Sequence, residues 1–72
     1  MTDPARLRKR SVLVAGHETS VSLEDAFWDA LKAMARRDGL SLNALVTEID
    51  RTRTGNLSSA LRVRVLADLK GP

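Results

Sequence analysis

The sequence predicts a mostly α-helical domain with a short N-terminal β segment, and three observations support this fold class. Residues 17–23 alternate between polar and apolar side chains, which is the period of a strand. Residues 27–34 and 42–49 each place apolar side chains at positions i, i+3, i+4 and i+7, which is one face of a helix. A third apolar helical pattern runs from Leu57 to Leu69, so we expect three helices after the β segment.

The amino-acid composition limits the classes of protein to which this chain could belong. The chain has 72 residues, one His, no Cys and no Tyr, and a net charge of +3. These counts argue against a disulfide framework, a metal site, a cofactor and an enzyme, because His17 is the one imidazole and no serine has an evident base partner. No apolar run approaches the ~20 residues that a bilayer-spanning helix needs, so we expect a cytoplasmic protein without a membrane segment. The positive charge is compatible with a nucleic-acid partner.

Residues 1–10 are basic and lack apolar periodicity, so we predict a flexible arm, followed by a folded domain over residues 11–72. The arm carries the basic residues Arg8, Lys9 and Arg10. These side chains either lie along a phosphate backbone or belong to a solvated tail, and the sequence leaves both interpretations open.

Two segments have strand character. Residues 11–15 form either a strand buried on both faces or a strand that pairs with the next segment through a turn at Gly16-His17. In residues 17–23, Thr19, Val21 and Leu23 face one way, and Glu18, Ser20 and Ser22 face the other. A lone strand has two unpaired edges and is not stable by itself, so we expect pairing with the same strand of a second chain.

The first helix is predicted to begin near Leu23, with Ser22 and Asp25 as a capping box, and to end at Gly39. Its apolar stripe is Phe27, Ala30, Leu31 and Met34, and we expect Trp28 beside that stripe at a dimer seam. Glu24, Asp25 and Asp29 are interpreted as acids at the positive end of the helix dipole rather than as metal ligands.

The second helix is predicted to begin after Ser41 as N-cap, with an apolar stripe at Leu42, Leu45, Val46 and Ile49. Thr54-Gly55-Asn56 separates it from the third helix. We therefore expect a dimer core built from the following residues of the β segment and the first two helices: Val21, Leu23, Phe27, Trp28, Leu31, Leu45, Val46 and Ile49.

The stretch TSVSLEDAFWDALKAMARRDGLSLNALV resembles the ribbon-helix-helix superfamily of MetJ/Arc-type DNA-binding proteins. The longer run from RKRSV through AGHETSVSLEDAFWDALK to NLSSALRVRVL resembles a bacterial branch of small ribbon-helix-helix domain proteins and covers nearly all of residues 8–66. The resemblance implies an intertwined homodimer whose two strands form one intermolecular antiparallel ribbon, with a third C-terminal helix added. It also implies a transcriptional regulator, such as a repressor, whose ribbon enters the DNA major groove.

Carried onto this chain, the resemblance assigns base contacts to Glu18, Ser20 and Ser22. It assigns a backbone phosphate to the second helix N-terminus at Ser41, Leu42 and Asn43, where free N–H groups and the helix dipole favour an anion. Ser41 can cap the helix at the same time. Three outcomes stay open for the ribbon because Glu18 repels phosphates: it contacts bases with low specificity, the arm supplies the attraction, or it does not contact DNA.

The alternative function is a protein-interaction dimer, such as an antitoxin or an adaptor, with weak or no DNA binding. In that case the third helix, Leu57 to Leu69, docks a protein partner. A C-terminal segment that folds into the domain, rather than trailing as a disordered tail, weighs against the antitoxin version.

Overall fold

A computed structural model describes residues 3–71 as a β hairpin followed by three helices. The elements are β1 (Leu7–Val14), β2 (His17–Glu24), α1 (Asp25–Arg37), α2 (Leu42–Thr52) and α3 (Leu57–Lys70). The predicted class is confirmed: an N-terminal β segment precedes three helices.

The two strands pair antiparallel within one chain, from Leu7 opposite Glu24 to Val14 opposite His17. Ala15 and Gly16 connect them, and both have positive φ, 51° and 83°. Positive φ at both central residues is the requirement of the type I′ hairpin turn, whose twist matches that of the strands. The interpretation in which residues 11–15 pair with the next segment is therefore confirmed, with the turn one residue earlier than predicted, at Ala15-Gly16. One edge of β2 is paired within its own chain, and the expected pairing with the same strand of a second chain stays a prediction.

The prediction of a flexible arm is wrong for those of residues 1–10 that the structure describes. Residues 1 and 2 lie outside the described part of the chain. Residues 7–10 belong to β1, and the backbone before them is also attached, because the Ala26 N–H donates to the Pro4 carbonyl at 3.0 Å. The physical reason is that Arg8 and Arg10 find partners on α1: Arg8 binds Asp25, and the Arg10 guanidinium lies 5.6 Å from the centre of the Trp28 ring. The basic run thus forms strand rather than tail.

Helix α1 begins two residues later than predicted, at Asp25, and the expected capping box is absent. Glu24 is the N-cap and makes no side-chain cap hydrogen bond. Ser22 and Leu23 remain in strand conformation because they pair with Lys9 and Arg8 of β1. The hairpin ladder therefore extends to the first residue of the helix.

The other helix ends agree with the sequence. The Ser41 hydroxyl accepts the Ala44 N–H at 3.0 Å, and the Asn56 side chain caps α3 by accepting the Ser59 N–H at 2.8 Å. Gly39 has φ 72°, and the Leu40 N–H donates to the Ala35 carbonyl at 2.8 Å, which together form a Schellman stop after α1.

The core lies between the inner face of the hairpin and the helices. On α1 the buried apolar residues are Trp28, Leu31, Met34 and Ala35, so the buried stripe is rotated relative to the predicted one and Phe27 is only partly buried. All eight residues predicted for a dimer core lie in or against this core of a single chain. Trp28 is 1% exposed, so its own chain covers it and the dimer seam predicted there is wrong.

Thr19 was expected to face the core, but it is exposed. Helix α2 packs against β1, while α1 and α3 pack against β2. Burial on β2 begins only at Val21, so the helices leave the turn end of this strand uncovered. Strand alternation alone does not show where the supporting layer ends.

Candidate nucleic-acid interface

The outward-facing side chains of the hairpin form one polar surface, which we call the hairpin outer face. It contains three residues from each strand, aligned in the pairs Lys9–Ser22, Ser11–Ser20 and Leu13–Glu18. The inner face is occupied by the core residues Val12, Val14, Val21 and Leu23, which fixes the opposite side chains outward. Glu18, Ser20 and Ser22 lie where the sequence predicted, and β1 adds three neighbours.

The chemistry of the hairpin outer face is mixed. Lys9 can bind a phosphate, the serine hydroxyls can donate to or accept from any base, and Leu13, 49% exposed, suits an apolar contact such as a thymine methyl. Glu18 can accept from a cytosine amino group, but its charge opposes nearby phosphates. The face therefore carries one positive and one negative charge, and it offers contacts of low sequence selectivity.

The first turn of α2 lies beside this face because its side chains bind β1. Asn43 Oδ1 accepts the Leu13 N–H at 3.1 Å, and Thr47 Oγ1 donates to the Leu13 carbonyl at 3.4 Å. The N–H groups of Leu42 and Asn43 lie in the first turn, where the helix itself supplies no acceptor. The arrangement places the α2 N-terminus, whose first N–H groups and helix dipole favour an anion, next to the hairpin outer face. Asn43 gains a second role that the sequence did not show, since it joins the helix to the strand.

The three basic residues predicted to act together lie in different surroundings. Arg8 Nε donates to Asp25 Oδ1 at 2.7 Å, and this hydrogen bond and its charge hold the pKa of the Asp25 carboxyl below its usual value. Arg10 stacks over the Trp28 ring. Lys9 alone belongs to the hairpin outer face. The expected basic cluster is therefore divided between the fold and the surface.

A shallow groove between β1 and α1 gathers further positive charge. Lys9, Arg10 and Lys32 line it together with Asp29, while Arg8 and Asp25, which also line it, form an ion pair with each other. The sequence pattern did not reveal Lys32, because only the packing of β1 beside α1 brings it near the basic run. We call this surface the cationic groove, and it can follow a phosphate backbone along the edge of the hairpin.

The two edges of the hairpin differ. The N–H and C=O groups of Leu13 point to α2 and not to β2, so Leu13 and its partner Glu18 form a non-hydrogen-bonded pair of the antiparallel ladder. In such a pair the N–H and C=O groups of Glu18 point away from β1. The backbone N–H and C=O groups of Ser20 and Ser22 also point away from β1, because the ladder repeats every two residues. Among the described residues, no side chain donates to or accepts from these β2 backbone groups, whereas Asn43 and Thr47 cap the β1 edge at Leu13. The β2 edge is thus open along Glu18, Ser20 and Ser22.

Residues 3–71 contain neither a metal-holding cluster nor a membrane-spanning helix. No three His, Cys, Asp or Glu side chains gather there in a way that could hold a metal ion. None of the described helices has the length and apolar character to cross a membrane.

Residues 7–69 match the family model of the ribbon-helix-helix domain. Among solved structures, an uncharacterized protein from Bordetella pertussis Tohama I is 33% identical and superposes with a TM-score of 0.78. The match covers 92% of this chain and 58% of that one, so this chain spans little more than half of the solved protein. No curated protein matches the chain.

Proposed function

We propose that this chain, which belongs to the ribbon-helix-helix domain family, is a dimeric DNA-binding protein that regulates transcription in the bacterial cytoplasm. Proteins of this family are generally DNA-binding or regulatory rather than enzymatic, and they typically bind DNA as dimers. The observation that carries the proposal is the junction of two surfaces: a polar two-stranded hairpin outer face and the first turn of α2, joined by Asn43 and Leu13.

The dimensions support major-groove binding. The groove is about 12 Å wide and accepts two paired strands, which lie about 4.8 Å apart. The hairpin supplies both strands from one chain, so a single copy presents a complete ribbon. Ser11, Ser20 and Ser22 would then contact base edges, and the N–H groups of Leu42 and Asn43 would contact a phosphate at the groove wall.

The charges assign affinity and specificity to different residues. Lys9, Arg10 and Lys32 would contact phosphates through the cationic groove. Each phosphate contact contributes to affinity without selecting a sequence. Glu18 lowers affinity on every sequence and gains a favourable contact only where a cytosine amino group is in reach. We therefore propose modest, salt-sensitive binding in which Glu18 mainly disfavours sequences that place no cytosine amino group within its reach.

The test is selection from random DNA with the purified protein, followed by fluorescence anisotropy on the selected site. Lys9→Ala should weaken binding several-fold and reduce the slope of log affinity against log salt by about 1. Arg51→Ala is the matched control, because Arg51 is an exposed cation in the last turn of α2, about 12 Å along the helix from Asn43. It should leave both quantities unchanged.

Glu18→Gln tests in the same assay whether the negative charge of Glu18 opposes DNA binding. Removal of the negative charge should raise the affinity for unselected DNA and reduce the discrimination between selected and unselected sites. Wild-type protein that binds no DNA even at low salt would contradict the proposed function. Equal effects of Lys9→Ala and Arg51→Ala would contradict the role of the hairpin outer face.

A further inference from the structure

The edge of β1 that faces away from β2 is bonded near the turn and open farther along the strand. Asn43 and Thr47 of α2 bind the outward N–H and C=O groups of Leu13. Because the ladder repeats every two residues, Lys9 and Ser11 also direct these backbone groups away from β2. Within the described part of the chain, no group donates to them or accepts from them. We call the outward backbone groups of Lys9 and Ser11 the open β1 edge.

The cationic groove runs along the open β1 edge. Lys9 and Ser11 line it from the outer face of the strand and Arg10 lines it from the inner face, so the groove lies where the two faces meet. Beside it, β1 reaches α1 through the long side chains of Arg8 and Arg10. Helix α2 closes the edge at Leu13. A further strand can therefore lie beside Lys9 and Ser11, at the usual spacing of about 4.8 Å from β1.

The charges around the open β1 edge favour an acidic occupant. Apart from one ion pair, the charged side chains that line the groove are three cations and one acid, namely Lys9, Arg10, Lys32 and Asp29. A second copy of β1 does not fit, because antiparallel pairing of two basic strands places like charges opposite each other. Cations on a strand edge prevent such self-pairing. The site therefore selects a strand of the opposite charge.

The backbone groups of the open β1 edge distinguish a peptide from a nucleic acid. Phosphate oxygens are acceptors, so DNA phosphates can bind the N–H groups of this edge but leave its C=O groups without a donor. An extended peptide presents N–H and C=O groups alternately and can bind both, which is the basis of recognition by strand addition. Phosphates therefore match the cations alone, whereas an acidic strand matches both the cations and the backbone.

We propose that an extended acidic segment of a partner protein adds to β1 as a further strand along Lys9 and Ser11, inside the cationic groove. The segment ends before Leu13, where Asn43 and Thr47 already occupy the edge. The bound segment also excludes DNA phosphates from the same cations, and this consequence rests on the proposed function. Pairing of β2 with a second copy, which stays a prediction, uses the opposite edge of the hairpin and leaves the open β1 edge free.

The experiment uses the full chain without DNA and two fluorescein-labelled peptides. The first peptide alternates glutamate with threonine. The second has the same sequence with a methyl group on every backbone nitrogen, so it keeps the charge and loses its backbone N–H donors. Fluorescence anisotropy should show binding of the first peptide. The second should bind about tenfold more weakly, because it cannot donate to the C=O groups of the open β1 edge.

Two proline variants identify the edge that binds the peptide. Ser11→Pro removes an outward N–H and leaves the hydrogen bonds between β1 and β2 in place, so it should weaken binding of the first peptide several-fold. Ser20→Pro is the matched control, because Ser20 lies opposite Ser11 and directs its own N–H to the β2 edge. This variant should keep the affinity for the peptide. Circular dichroism checks that both variants are folded.

Two charge variants test the groove without changing the strand. Lys32→Glu should weaken binding of the first peptide by about tenfold, because it replaces an attraction by a repulsion. Lys70→Glu makes the same change of charge on the last residue of α3 and should leave the affinity unchanged. Amide hydrogen exchange gives the direct measurement. The first peptide should slow exchange at Lys9 and Ser11, and it should not alter Leu13, whose N–H is already bonded.

Three results would overturn the proposal. These are no binding of the first peptide, equal binding of the two peptides, and loss of binding in Ser20→Pro with retention in Ser11→Pro. The first result in a protein that binds DNA would reject the docking site and retain the proposed function. Peptide binding that Ser11→Pro weakens, in a protein that binds no DNA, would retain the docking site and reject the proposed function.

Discussion

The two halves of the hairpin inner face attach β1 to the domain by different physical means. Near the turn, Val12 and Val14 are 3% and 7% exposed and pack in the apolar core. At the open end, the inward positions belong to Arg8 and Arg10, which bind a carboxylate and an aromatic ring on α1. The Trp28 Nε1–H also donates to the Arg8 carbonyl at 2.9 Å.

The difference teaches how a basic segment can be structural. Burial of apolar area stabilises the turn half without any ionised group, so neither protonation nor ionic screening removes this contribution. The open half depends on charge, so water and salt screen part of its contribution, since the Arg8 side chain is 49% exposed. A change of pH or salt concentration can therefore destabilise the attachment of the open end of β1. This end borders the cationic groove.

The largest effect is expected in the turn half. Val12→Ala removes two buried methyl groups and leaves a cavity, which should lower the free energy of unfolding by about 2 kcal/mol. The neighbouring Leu13→Ala is the control, because Leu13 points outward and should change stability by less than about 0.5 kcal/mol. Urea unfolding followed by circular dichroism measures both. Equal losses in the two variants would contradict the assignment of inner and outer faces.

The next effect concerns the charged half and depends on pH. Arg8 lowers the pKa of Asp25 through a hydrogen bond and its charge, so the ionised carboxylate stabilises the folded state. This contribution is complete above the unfolded pKa of about 3.9, and it is lost as the pH falls through the lower, folded pKa. Asp25→Asn should therefore reduce the melting temperature at neutral pH and make its fall toward acid pH shallower.

Glu24→Gln is the comparison variant for this titration. Arg62 likewise lowers the pKa of Glu24 through a hydrogen bond, but both side chains are about one-third exposed. Solvent screens this pair more than the nearly buried Asp25 carboxylate, so the flattening should be smaller than in Asp25→Asn. A titration in which Asp25→Asn keeps the full acid sensitivity of the wild type would contradict the ion pair.

Most of the fold could be predicted from local patterns. The caps at Ser41 and Asn56, the stop at Gly39 and the alternation of β2 all depend on neighbours within a few residues. The pairing of β1 could not be predicted with the same ease. Its first half places arginines where a strand pattern requires apolar residues, and the carboxylate and aromatic ring that satisfy them lie on α1, beyond the whole of β2 in the sequence.

The candidate interface was predicted in part for the same reason. Glu18, Ser20 and Ser22 follow from strand alternation, but their neighbours on β1 depend on the hairpin register. Lys32 enters the cationic groove only through contacts between β1 and α1. Asn43 shows the limit most clearly: its position at a helix start suggests a phosphate contact, while its bond to Leu13 exists only in three dimensions.

The smallest effect on stability is expected at the turn that joins β1 to β2. Ala15 has φ 51°, a left-handed conformation that costs an L-residue with a Cβ roughly 1 kcal/mol, whereas Asn adopts it more readily. Ala15→Asn would create the Asn-Gly pair that type I′ turns prefer, and it should raise the free energy of unfolding by about 0.5–1 kcal/mol. Ala15→Val is the opposing control, because a β-branched side chain is poorly tolerated at positive φ and should destabilise the protein. If the hairpin forms within one chain, Ala15→Asn stabilises the protein without changing its sedimentation behaviour. A gain in stability that depends on protein concentration would instead indicate that β1 exchanges between copies.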